Sequence, residues 1–185
     1  MDAGIEALIA DGFRARRARQ PARALKVFGE AIEASEDRGT RGQLIRALKG
    51  YGQIERDSGD GAAALERYQR ATALCREEGD SLLLAHTVRH VADIHQDNGD
   101  LDLAEPGYVE ALSIYRSEPA EGDAAVLDVA NAVRPYAILK ETRGETEVAL
   151  GLWVEARDLY ARVGIQGGVD EAETHIAGLS DGATV

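Results

Sequence analysis

Apolar residues recur along this chain in the order small, large, small, spaced four and three residues apart: Ala24, Phe28, Ala31; Ala64, Tyr68, Ala71; Ala104, Tyr108, Ala111; Ala149, Trp153, Ala156. Those spacings put each triplet on one helix face. The sets are related by shifts of 40, 40 and 45 residues. Cys75, Tyr115 and Tyr160 follow under the same shifts and face inward with them. A second pattern alternates with the first, a large residue and then a large one beside a small one: Leu48, Tyr51, Gly52; Val88, Val91, Ala92; Val133, Tyr136, Ala137, with Leu8 and Gly12 in the corresponding place at the start. The two patterns predict pairs of amphipathic helices, one pair per repeat. The small residues let a neighbouring helix approach and the large one fills the space between them.

The breaks between these segments are regular. Glycine stands at 39, 59, 79 and 99, followed by Thr40, Asp60, Asp80 and Asp100. Glycine just past a helix end accepts a left-handed backbone, and Asp or Thr accepts hydrogen bonds from the free first-turn N–H groups of the next helix. Gly122-Asp123 and Gly144-Glu145 continue the rhythm, and Gln20-Pro21 opens the second helix. The predicted helices are 3–18, 21–37, 41–57, 61–78, 81–97, 101–117, 123–143, 146–163 and 170–179. Pro135 should bend the seventh. Segment 117–122 reads as a longer loop, 170–179 as a polar cap over the last hydrophobic face, and 180–185 as a frayed tail.

Together the two helix patterns resemble the tetratricopeptide repeat, over about residues 5–163. The match is to its large–x2–large-small first helix and its Ala-x3-aromatic-x2-Ala second helix. The period exceeds the family's usual 34, as in the longer repeats of motor-protein light chains and similar bacterial proteins. The resemblance implies an all-α, right-handed α-α superhelix of four helical hairpins plus a C-terminal capping helix. It would form one domain over 1–185, with repeats 3–38, 41–78, 81–118 and 123–163 and the cap at 170–179. Its implied function is protein–protein interaction, with a peptide or protein segment held in the concave groove lined by the first helices.

Transferring the family's groove positions gives Glu6, Ile9, Phe13 and Arg16 from the first repeat, Arg46, Lys49, Gln53 and Arg56 from the second, His86, Arg89, Asp93 and Gln96 from the third, and Asn131, Arg134, Ile138 and Glu141 from the fourth. The set predicts a mostly basic stripe, with Arg46, Lys49, Arg56, His86, Arg89, Asn131 and Arg134 as candidate peptide-binding residues. Its ligand would be an acidic segment or a C-terminal carboxylate, which arginine holds bidentately. The competing expectation is that the arginines pair internally with Asp57, Asp93, Asp97 and Glu141. Gln53 and His90 stand where the family's carboxylate clamp needs asparagines, so that ligand is not assigned.

Charge sharpens this picture. The net charge is −12, from 21 Lys+Arg against 33 Asp+Glu, which argues against general nucleic-acid binding. Residues 1–57 carry 11 basic and 9 acidic side chains, and Arg14, Arg16, Arg17, Arg19, Arg23 and Lys26 cluster there. That cluster reads as a solvated helix face or as a docking patch for an acidic partner. No apolar run is long enough for a membrane helix, and Met1–Glu6 lacks the pattern of a secretory signal, so a cytoplasmic protein with no membrane partner is expected. The first helix carries Ile5, Leu8, Ile9 and Phe13 with no repeat before it. Ile5, Ile9 and Phe13 therefore form a candidate apolar interface for a homodimer.

Candidate chemistry is sparse. His86 and His90, with Asp93 and Asp97, have helical metal-ligand spacing, but Arg89 beside them opposes a cation, and no metal or other cofactor is assigned. His95 and Cys75 read as packing residues and His175 as part of the cap. Neither a phosphate loop nor a nucleophile elbow is present, and the chain is not read as an enzyme. Two rival functions stay open: a small-molecule or signal-peptide sensor with a pocket near Phe13, Tyr51 and the Pro135 bend, and a metal-dependent enzyme at His86 and His90.

Overall fold

A computed structural model describes residues 2–117 and 122–182. Among the described residues there are nine α-helices and no strand: α1 (Ala3–Arg17), α2 (Pro21–Arg38), α3 (Arg41–Asp57), α4 (Gly61–Glu78), α5 (Ser81–Asp97), α6 (Leu101–Ser117), α7 (Asp123–Thr142), α8 (Thr146–Arg162) and α9 (Gln166–Gly182). The helices fall into two compact units, Met1–Ile94 and His95–Val185. Most of the expected 117–122 loop and the end of the expected tail lie outside the described residues.

Local chemistry sets the boundaries. Thr40 forms a reciprocal capping box with Gln43, and the Asp60 and Asp80 carboxylates accept from the N–H groups of Ala63 and Leu83 at 3.0 and 2.9 Å. Gly79 ends α4 at φ 73°, a left-handed conformation that a side chain would oppose. Gly39 departs from the expectation, because its backbone is extended. It is required for room: a Cβ there would meet the Ser35 backbone at 2.5 Å. The last helix is also longer than 170–179. The Gly167-Gly168 pair reads as loop, yet both residues are helical. A Cβ at Gly168 would lie 2.5 Å from the Tyr160 ring, so the glycine lets α9 close onto α8.

All four small–large–small triplets are buried, as are Cys75, Tyr115 and Tyr160. Each large ring meets the start of the next hairpin. Phe28 is wedged between Gly12 and Gly50, where a Cβ would come within 2.7 and 2.3 Å of its ring. Tyr68 stacks on His90, 22 residues later, at 4.9 Å, and Trp153 stacks on His175, also 22 residues later, at 4.1 Å. Phe28 and Gly50 share that same separation. Gly50→Ala should therefore destabilise the protein by about 1–3 kcal/mol through overpacking, despite alanine's better helix propensity. Urea unfolding checks this, and an unchanged or raised midpoint would show that Phe28 can move aside.

The proposed apolar interface on α1 is corrected. Ile5 and Ile9 are 0% exposed, and Phe13 meets Phe28 edge-on at 5.1 Å. The helix packs against both α2 and α3, so its apolar stripe is consumed within its own unit and is not left for a second copy.

Candidate functional site

The first helices carry the candidate residues, and almost every arginine among them already holds a carboxylate. In the first unit, Arg46 on α3 donates from Nη1 to both Glu6 oxygens, at 2.7 and 3.0 Å. That bond, joined by one from Gln43, holds the Glu6 carboxyl below the usual range. Arg46 remains 44% exposed. Arg16 donates to Asp57 at 3.1 Å.

Deeper in the same unit lies a denser knot. Arg56 on α3 and Arg89 on α5 both donate to Asp93 Oδ2 at 3.1 Å, and His90 Nδ1 lies 3.3 Å from the same oxygen. Arg89 Nη2 stands 3.0 Å from His90 Nε2. A guanidinium can only donate, so Nε2 accepts and the imidazole proton sits on Nδ1, which is close to Asp93 but makes no hydrogen bond to it. Burial works to raise the Asp93 carboxyl, but His90, Arg89 and Arg56 outweigh it and hold it below the usual range. Burial also pushes His90 down to about 4, helped by Arg89 and opposed by Asp93. His86, its ring 4.6 Å from that of His90, is pushed down further by burial and by the Lys49 ammonium. The two imidazoles are neutral, and Arg89 occupies the one nitrogen of His90 that could bind a cation. Among the described residues no group of three His, Cys, Asp or Glu side chains is placed to hold a metal.

In the second unit, Arg134 on α7 holds Glu171 on α9 through two bonds of 2.6 Å, a bidentate pair that lowers the Glu171 carboxyl. Asn131 accepts from the Tyr160 hydroxyl at 3.2 Å. Glu141 accepts from Trp153 Nε1 at 2.9 Å and lies 2.8 Å from His175 Nδ1. Lys140 is buried between Glu105 and Glu145, and both raise its pKa. Arg143 pairs with Asp102 and Glu105.

The expected internal pairing therefore holds at Asp93 and, through Arg16, at Asp57, while Glu141 takes Trp153 and His175. Glu6 and Glu171, not foreseen as partners, neutralise Arg46 and Arg134. Their signal was present in the repeat itself. Glu6, Arg46, His86, Asn131 and Glu171 share one position under the same shifts, and glutamate at either end of that column faces an arginine from the neighbouring first helix. Phe13 and Tyr51, named for a sensor pocket, are engaged in packing: Phe13 against Phe28, and Tyr51 beneath the Arg67 guanidinium at 5.2 Å. Cys75 is buried with the Thr87 hydroxyl 3.9 Å from its sulfur, and burial raises its thiol pKa. No helix is long and apolar enough to cross a membrane among the described residues.

Helical hairpins with small–aromatic–small second helices and polar first helices define a tetratricopeptide-like repeat fold. Solved structures agree. The chain resembles BtubC (BKLC) from P. vanneervenii with a TM-score of 0.65, at 16% identity over 97% of this chain and 91% of that one. It resembles the nearly identical TPR-like repeats of a kinesin light chain from Podospora anserina with a TM-score of 0.59, at 13% identity over 97% and 96%. A third likeness is to PcrH from Pseudomonas aeruginosa in complex with the chaperone binding region of PopB, with a TM-score of 0.56 and 24% identity over 71% and 94%. No protein-family model matches. The curated photosystem I assembly protein Ycf3 of Prochlorococcus marinus (strain MIT 9303) is 30% identical over 111 residues, 60% of this chain. The match spans little more than half, 56%, of that relative's length.

Proposed function

We propose that this chain is a protein-interaction scaffold, not an enzyme, and that it holds a peptide or protein segment against the polar face of its first helices. The observation that carries this is the contrast between two kinds of arginine on that face. Arg89 is 11% exposed and locked to Asp93, whereas Arg46 and Arg134 reach solvent at 44% and 40% in pairs with Glu6 and Glu171. Exposed ion pairs contribute only about 0–1 kcal/mol, so an incoming carboxylate can replace Glu6 or Glu171 at little cost. Arg46 in the first unit and Arg134 in the second are thus each an exchangeable anchor for an acidic segment. Lys49, Arg56 and His86 share the first-helix face of the first unit with Arg46, where Arg89 is locked in place, and Asn131 shares that of the second unit with Arg134. The likeness to PcrH, solved with the chaperone binding region of PopB, and to Ycf3, an assembly protein, supports a partner of protein nature.

The test is capture from a native lysate by the wild type and by an Arg46→Glu, Arg134→Glu double variant of equal helicity. The expected result is a protein retained by the wild type and lost by the variant, identified by mass spectrometry. Identical captures would remove the acidic-segment reading.

A further inference from the structure

The two units differ sharply in charge. The first has 15 Lys+Arg and 15 Asp+Glu; the second has 6 and 18, and so carries the whole net charge of −12. The second unit also holds most of the large apolar side chains left in water. Leu103 is 61% exposed, Val109 49% and Val148 48%. Leu103 and Val109 lie on α6 and Val148 on α8, all on second helices and away from the polar first-helix face. Arg116 of α6 donates to both Glu155 oxygens of α8 at 2.9 Å, an ion pair that links the two helices at an offset of 39 residues. The same offset carries Val109 to Val148. Pro106, also exposed, lies one turn from Val109. Leu103, Pro106 and Val109 on α6 and Val148 on α8 thus form a strip of exposed apolar side chains on this one unit, with the exposed Glu147 next to Val148 in the chain.

The fold does not need this strip. Shifting by the repeat aligns Leu103 and Val148 with Arg23 and Ala63, and Val109 with Gly29 and Gln69. At the same positions of the same helix type, the first unit thus uses charged, polar or small residues and is equally well folded. Single exposed apolar residues are ordinary, but a row of them on one face of one unit is the mark of a contact surface.

We infer that the outer face of α6 and α8 docks a basic amphipathic segment of a partner protein. The segment's apolar side chains would cover Leu103, Pro106, Val109 and Val148, and its lysines or arginines would face the acidic surround. Charge complementarity selects this occupant: Arg116 and Arg143 are already paired with Glu155 and Asp102 and so offer little to an acidic segment, and a neutral one would gain nothing from the field of the unit. The site is separate from the first-helix face and does not depend on the function proposed for it.

The probe is a fluorescein-labelled helical peptide of about 14 residues, with leucine on one face and lysine elsewhere. Binding is read by fluorescence anisotropy at about 0.15 M salt. Three proteins are compared: the wild type, a Leu103→Ser, Val109→Ser, Val148→Ser variant of unchanged charge, and the Arg46→Glu, Arg134→Glu variant. The arginine variant, which only adds negative charge, should bind at least as tightly as the wild type, and the serine variant should bind roughly tenfold or more weakly. A peptide of the same composition with its leucines scattered should bind as weakly as the serine variant does. The strip is excluded as a docking site if the wild type fails to bind, if the serine variant binds as well as the wild type, or if the scattered peptide binds equally. The serine sites are all exposed, so circular dichroism should show the fold unchanged.

Discussion

Asp93→Ala should cost about 3–5 kcal/mol, a large part of the roughly 5–15 kcal/mol that a domain of ordinary stability has. The carboxylate is 7% exposed and accepts from Arg56 and Arg89, with His90 Nδ1 3.3 Å away. Removing it leaves the Arg89 charge in a place that water scarcely reaches, and uncompensated burial of charge is what makes a broken interior pair expensive. The exposed pair at the other end of α3 supplies the control. Glu6→Ala removes the partner of Arg46, yet both side chains reach solvent, so the cost should be about 1 kcal/mol or less. Urea unfolding of the two variants beside the wild type measures the contrast directly. Equal shifts would mean that the knot around Asp93 is as hydrated as the surface pair and gives the first-helix face no rigidity.

These two pairs also show where sequence reading stops. Helix ends were legible because their causes are local: Thr40, Asp60 and Asp80 cap helices that begin within three residues of them. The second-helix core was legible because the same triplet recurs under a fixed shift, and one buried alanine predicts the others. Partner choice is not local. Arg46 finds Glu6 across 40 residues and Arg134 finds Glu171 across 37, and a charged residue on a polar helix face says that it is exposed without saying to what. Ile5 and Ile9 misled because an array's first helix suggests an open apolar end, whereas α1 packs on α2 and α3 at once. The last helix begins earlier than the expected 170 because at Gly168 the missing Cβ admits the Tyr160 ring. In both cases the deciding contact lay in another helix.

The imidazoles of His90 and His86 make stability depend on pH in a window where carboxylates are mostly silent. The folded pKa of His90 is about 4, against 6.5 for the free side chain. A depressed histidine means that the unfolded chain binds the proton more readily. The contribution is thus fully present above 6.5, is lost as pH falls, and stops changing below about 4. Across that window His90 alone accounts for about 3 kcal/mol, and His86, shifted in the same direction, adds to the loss. Between pH 6.5 and 5 the carboxylates of the unfolded chain have hardly begun to protonate, so the histidines dominate the slope there. The discriminating variant is His90→Gln, whose amide oxygen can still accept from Arg89 but which does not titrate. Unfolding free energy measured at several pH values should fall steeply for the wild type on acidification and about half as steeply for the variant. Parallel curves would show that His90 is free to protonate in the folded state, and that Arg89 and the stacked Tyr68 ring do not hold it neutral.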